Sequence, residues 1–203
     1  MDQIGELKHF PRIAVLASGS GTNLQAIIDD DIEIALVLCD NENAGAIDRA
    51  KNSSIPCEVV SKKDFKNRES FANELINVLE SYEIEIVVLA GFMTILPPAF
   101  IKKFENRILN IHPSLLPAFT GTYGKGTITA TLNAGVKVTG ATVHIVTEEV
   151  DAGPILAQGV VEVFDGDDEE TLHERIKKVE HRIYPQTIRQ FVSGGSTYLK
   201  EER

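Results

Sequence analysis

The first patterned stretch of the chain is a short apolar run, Arg12 to Ala17, that stops at the small residues Ser18, Gly19, Ser20 and Gly21. Apolar positions at helical spacing follow from Asn23 to about Ile28, so this unit reads as strand, tight turn, helix. A β-branched run from Ile34 to Cys39, a helix-like stretch near Ala46 to Asn52 and a short strand over Glu58 to Val60 continue the alternation. Between Asn67 and Tyr82, Phe71, Leu75, Val78, Leu79 and Tyr82 recur at helical spacing with charges between them. Ile86 to Ala90 is apolar on both faces, as a central parallel strand should be. Strands and helices alternating at this spacing predict an α/β fold of right-handed βαβ units with a mostly parallel sheet.

After Pro97 and Pro98 the pattern changes. Ile108 to His112 reads as another strand, and Pro113 to Gly126 as an irregular loop rich in Pro, Gly and Thr. Val138 to Val146 and Ile155 to Val163 are β-rich runs on either side of the polar loop Thr147 to Pro154. They predict antiparallel strands on the edge of the sheet. A last helix begins near Glu169, with Leu172, Ile176, Val179 and Ile183 on one face. Pro185 is expected to interrupt or kink it, and Gly194 and Gly195 to end it. No repeat or linker divides the chain, so residues 1–203 read as one domain with its core at about 12–194.

Composition narrows the possible functions. Of 203 residues, 43% are apolar and 25% charged, which is the balance of a soluble globular protein. A net charge of −10 argues against a nucleic-acid partner, while leaving room for a local basic pocket. Cys39 and Cys57 lack metal-ligand spacing and read as buried thiols in a reducing compartment. No apolar run reaches the ~18 residues needed to span a bilayer, and the polar opening is no signal peptide. The expectation is a cytoplasmic protein with small-molecule substrates, no membrane or nucleic-acid partner and no metal. Monomer and homodimer both remain open.

Two places carry candidate chemistry. Ser18 to Asn23 lies where an open α/β sheet binds ligands, at the carboxyl end of a strand and the start of a helix. Small residues there let the backbone approach an anion, toward which the helix N-terminus points free N–H groups. Leu24 occupies the third glycine position of a dinucleotide fingerprint, and no Gly-Lys-Ser/Thr of a P-loop follows, so a compact monophosphate fits better. The alternative is a plain tight turn with a helix cap. The second place is Asn110-Ile111-His112, where period-two alternation puts Asn110 and His112 on one side of a strand. An amide could stabilise an oxyanion and an imidazole could move protons during acyl transfer. Asp151, in a later loop, would favour the imidazolium if it lay close, raising the pKa of His112. A core histidine and a turn-forming aspartate are the alternatives. No Ser or Cys nucleophile accompanies the set, which favours direct transfer.

Six segments occur in order: Leu16 to Gln25 (LASGSGTNLQ), Leu89 to Leu96 (LAGFMTIL), Leu109 to Pro117 (LNIHPSLLP), Val138 to Val146 (VTGATVHIV), Asp151 to Gln158 (DAGPILAQ) and Glu180 to Pro185 (EHRIYP). Together they closely resemble the phosphoribosylglycinamide formyltransferases, the folate-dependent family of purine synthesis, from about Arg12 to Gly194. The resemblance implies a Rossmann-like formyltransferase fold with helices on both faces of the sheet. It implies transfer of a formyl group from 10-formyltetrahydrofolate, as co-substrate, to the amine of 5′-phosphoribosylglycinamide. By motif position it makes His112 the acid–base, Asp151 the residue that raises its pKa and Asn110 the oxyanion donor. It assigns Gly21, Thr22, Asn23, Lys177 and Glu180 to the glycinamide ribotide. To the folate it assigns Arg68, Met93, Thr94, Ile95, Leu96 and Asn110, with Thr147, Glu148, Glu149, Val150 and Asp151. The N-terminal half would then hold the phosphorylated substrate, and the C-terminal half the folate and the catalytic set.

His144, His173 and His181 read as structural or surface residues and receive no role. Residues Ala118 to Thr127 depart from the family pattern, which carries a proline-glycine and one or two histidines there; Tyr123 and Lys125 offer alternative polar contacts. Relatives that use the same set for formyltetrahydrofolate hydrolysis, or for formylating transfer RNA or a sugar amine, are the rival readings. The hydrolase would be expected to carry a domain ahead of the first strand, and the transfer-RNA enzyme a basic C-terminal one. A non-catalytic nucleotide-sugar or folate-binding module is the remaining alternative.

Overall fold

The computed structural model describes residues 10–194. One seven-stranded sheet runs through them in the order β3-β2-β1-β4-β5-β6-β7. Its strands are β1 (Ile13–Ala17), β2 (Leu36–Cys39), β3 (Cys57–Val59), β4 (Ile86–Leu89), β5 (Ile108–His112), β6 (Val138–Ile145) and β7 (Ile155–Glu162). The first five are parallel; β6 pairs antiparallel with β5, and β7 with β6. Every residue of β1, β2 and β4 is buried, which is why these strands are unbroken apolar runs.

The helices are α1 (Thr22–Asp29), α2 (Gly45–Asn52), α3 (Arg68–Ser81), α4 (Pro98–Lys103), α5 (Lys125–Ala134) and α6 (Glu169–Ser193). They bury one core on each face of the sheet. Leu24 and Ile27 of α1, Ala46 and Ala50 of α2, Ile128 of α5, and Leu172, Ile176 and Tyr184 of α6 fill one side. Phe71, Leu75 and Leu79 of α3, with Phe100 and Phe104 of α4, fill the other. Tyr184 is fully buried, and its hydroxyl is shared between the carbonyls of Leu89 (3.0 Å) and Leu109 (3.1 Å), tying α6 to β4 and β5.

The chain runs outward from β1 through β2 to β3, then crosses back to β4 on the other side of β1. The carboxyl ends of β1 and β4 therefore open onto a crevice at a topological switch point, the customary ligand position in such sheets. The two loops there are joined: Ser18 N–H donates to the carbonyl of Gly91 (3.2 Å), and Met93 N–H to Ser18 Oγ (2.8 Å).

Two expectations need correction. Pro185 does not interrupt the last helix, which is continuous from Glu169 to Ser193. The proline forgoes only the bond to the carbonyl four residues back, and its ring is buried. The expected loop to Gly126 instead gives way to α5 at Lys125. Its threonines mask the helical period, but Thr129 and Thr131 return their hydroxyls to the carbonyls of Lys125 (3.0 Å) and Thr127 (2.8 Å). The short helix α4, with Pro98 in its first turn, was also not expected. Gly194 caps α6, while the expected part for Gly195 lies outside the described residues.

Candidate active site

The loop after β1 owes its shape to Gly21, whose φ of +72° is left-handed. A Cβ at this position would lie 2.8 Å from Ala46 Cα, so α2 can approach the loop only because the side chain is absent. Across that contact Ala46 N–H donates to the carbonyl of Gly19 (3.2 Å) and Arg49 Nε to that of Ser20 (2.8 Å). No side chain caps α1, so its first-turn N–H groups stay available for an anion. Asn23, in that turn, donates from Nδ2 to Glu180 Oε2 (3.0 Å), and its Oδ1 is buried without a partner. Glu180 is buried on α6, and burial pushes its carboxyl above the usual carboxylate range against the opposing Asn23 bond and Lys177 charge.

Beside this loop, β4 delivers Gly91 to Leu96 along the wall of a cavity of about 410 Å³. Met93 and Ile95 are exposed within it, while Thr94 is held by Asp40 (Oγ1 to Oδ2, 2.7 Å). The end of β5 supplies Asn110 and His112 to the same cavity. Asp151 reaches it from the loop between β6 and β7, in a left-handed conformation (φ +55°). Its Oδ2 accepts Gly121 N–H (2.9 Å) and lies 3.6 Å from His112 Nδ1.

His112 is 3% exposed, and Nδ1 faces acceptors: the Asp151 carboxylate and the Phe119 carbonyl. The proton of the neutral ring therefore sits on Nδ1, leaving Nε2, which is buried without a partner, as a lone pair. The expected pKa direction is corrected here. Asp151 does pull upward, but burial outweighs it and His144 adds to the lowering, so the imidazole is held below its ordinary value.

His144 is the direct cross-strand partner of Asn110. It sits where the β6–β7 register shifts, an irregularity that re-aims side chains. Its Nδ1–H donates to the carbonyl of Ile145 (3.0 Å), which makes Nε2 the acceptor of the neutral ring. Asn110 Nδ2 lies 3.2 Å from that Nε2 and donates to it. One N–H of Asn110 is thus spent on orientation, and the other is free for a ligand.

An amide N–H, an unpaired imidazole nitrogen and a carboxylate converge beside an uncapped helix N-terminus. Such a site can hold an anion at one end and stabilise an oxyanion with proton transfer at the other. The formyl transferase family matches residues 11–188. The chain belongs to that family.

This formyl transferase is 40% identical over 187 residues to the phosphoribosylglycinamide formyltransferase of Bacillus subtilis, covering 89% of this chain and 94% of that one. It is 45% identical over 196 residues to the trifunctional purine biosynthetic protein adenosine-3 of Bos taurus; there it matches 94% of its own length but only 19% of the relative's. Among solved structures, glycinamide ribonucleotide transformylase 1 from Symbiobacterium toebii superposes with a TM-score of 0.88 at 44% identity, covering 92% of this chain and 90% of that one.

Most of the residues singled out in the formyl transferase sequence meet in the one cavity: Gly21, Thr22, Asn23, Met93 to Leu96, Asn110, His112, Thr147, Glu148, Val150, Asp151, Lys177 and Glu180. Arg68 and Glu149 are not among its lining residues; Arg68 opens α3 and is exposed. The cavity adds His144 and His173, to which the sequence lent no role, together with Tyr123 and Lys125. Alternation along β6 gave no signal for His144, because its part depends on its pairing with Asn110. Among the described residues no three His, Cys, Asp or Glu side chains could hold a metal ion, and no helix is long and apolar enough to cross a membrane.

Proposed function

We propose that this formyl transferase moves the formyl group of 10-formyltetrahydrofolate to the amine of 5′-phosphoribosylglycinamide, as a cytoplasmic step of purine synthesis. The observation that carries the reading is the continuity of one cavity from the free N–H groups of α1 to the Asn110–His112–Asp151 group. A phosphorylated amine seated on the former reaches the latter with its nitrogen.

The phosphate sits on the N–H groups of Gly21, Thr22 and Asn23, and Glu180 and Lys177 take the ribose end. The folate lies along Met93 to Leu96 and Thr147 to Asp151. The amine attacks the formyl carbon, and the free N–H of Asn110 meets the developing oxyanion. His112 Nε2 takes a proton from the attacking nitrogen and is positioned to return it to N10 as the carbon–N10 bond breaks. Asp151 orients the ring through Nδ1 and stabilises the transient imidazolium. The products are the formylated ribotide and tetrahydrofolate, so atoms and charge balance without a covalent enzyme intermediate. In this reading Arg68 and Glu149 serve the folate from outside the cavity wall, by reaching over its rim.

The test is an absorbance assay of tetrahydrofolate product formation from 10-formyltetrahydrofolate, with and without 5′-phosphoribosylglycinamide. Turnover is expected only when the ribotide is present. Consumption without it points to the hydrolase, and no consumption in either case removes the reading.

A further inference from the structure

The stretch Gly91 to Leu96, which walls the cavity, belongs to no helix or strand, so its shape rests on bonds to neighbouring loops. Thr94 in its middle is 9% exposed, while Met93 and Ile95 on either side are 53% and 54% exposed within the cavity. The same turn that sends the two apolar side chains outward brings the threonine inward. There its hydroxyl donates to Asp40 Oδ2 at 2.7 Å, a length proper to a charge-assisted bond. Asp40 follows β2 directly, and β2 and β4 flank β1 in the sheet. The bond therefore passes across the carboxyl end of β1, where Ser18 already fastens Gly91 and Met93. Asp40 is not among the residues lining the cavity. Its other oxygen, Oδ1, is buried without a partner. Leaving a buried carboxylate oxygen bare costs stability, so Asp40 is not explained by what it adds to the fold.

We propose that Asp40 is a positioning residue for the folate co-substrate: through Thr94 it fixes the Gly91–Leu96 wall so that Met93 and Ile95 are held facing the ligand. The proposal rests on the reading that the folate lies along Met93 to Leu96. Asp40 touches neither substrate. It holds an irregular segment in one conformation before the ligand arrives, which lessens the ordering that binding must otherwise accomplish. The glycine loop after β1 is held separately, by bonds from Ala46 and Arg49 of α2. Loss of the Thr94 bond is therefore expected to weaken the folate half of the cavity and to spare the phosphate half.

Isothermal titration of the whole chain with tetrahydrofolate and with ribose 5-phosphate, neither of which is consumed, reads the two halves apart. Asp40→Ala is expected to weaken tetrahydrofolate binding about tenfold and to leave ribose 5-phosphate binding within about twofold. Thr94→Val, which keeps the shape of the threonine, should show the same loss, and it carries the test should Asp40→Ala fail to fold. The double variant should be no weaker than either single one, because both remove the same bond. Asp40→Asn keeps an acceptor oxygen for Thr94 and should restore most of the affinity. An equal loss for both ligands overturns the proposal, since a loosened fold would give it. So does Asp40→Asn binding as weakly as Asp40→Ala, which would assign the effect to charge and not to the bond. Equal tetrahydrofolate binding by wild type and Asp40→Ala overturns the proposal and leaves the proposed function standing, whereas a wild-type chain that binds no tetrahydrofolate overturns both.

Discussion

Gly21→Ala tests the loop to which phosphate binding is assigned in the proposed function, and nearby Gly19 supplies the control. At Gly21 the backbone has φ +72°, and an added Cβ would meet Ala46 Cα at 2.8 Å and Ala46 Cβ at 2.9 Å. The closest atom is main chain, so no rotamer change relieves the clash. Holding an alanine in the left-handed region costs about 1–2 kcal/mol, and overpacking a tight contact about 1–3 kcal/mol. Together they put the loss at roughly 2–5 kcal/mol, a large share of an ordinary domain's stability. For a chain of this size that lowers the melting temperature by on the order of 10 °C. At Gly19 an added Cβ meets nothing within 4 Å, so Gly19→Ala should melt within about 2 °C of wild type. Thermal unfolding followed by far-UV circular dichroism reads both. If the loop yields instead of the fold, α2 must move off it, and the bonds from Ala46 and Arg49 should be lost together. A Gly21→Ala protein melting with the wild type, or a Gly19→Ala protein falling as far as Gly21→Ala, would refute the argument.

His112→Ala and Asp151→Asn should each lower turnover by about a hundredfold or more while the fold persists, read by initial rates and circular dichroism; near-wild-type rates in both would remove the assigned roles. His144→Ala and Asn110→Ala should be strongly non-additive in a double-mutant cycle on turnover, because His144 Nε2 holds the Asn110 amide in place; additive losses would argue for separate roles. Stability should fall as pH drops from about 7.5 to about 5.5, measured by urea midpoints. His112, His144, His173 and His181 all have lowered folded pKa values. The unfolded chain therefore binds their protons first; their contribution is complete above 6.5 and is lost as pH falls through the folded values. Glu180, raised by burial, works in the opposite direction but can take up only one proton. A flat or rising midpoint over that range would contradict the sign.

The sequence by itself determined the elements whose burial is periodic. Strands buried on both faces must be unbroken apolar runs, as β1, β2 and β4 are, and the spacing of Phe71, Leu75 and Leu79 places α3 against them. The glycine loop and Asn110–His112 were legible because each is local, fixed by strand alternation and by the small residues at a strand end. α5 was not, since its threonines satisfy their hydroxyls on their own helix and leave no apolar period to read. The tertiary structure decided what depends on distant neighbours. The β5–β6 register sets His144 against Asn110, and the fold brings Asp151 within 3.6 Å of His112. Whether that carboxylate or burial governs the imidazole is a competition between Coulomb attraction and desolvation. It is settled by the packing around His112, which burial wins, and no pattern along one strand records the surroundings that packing supplies.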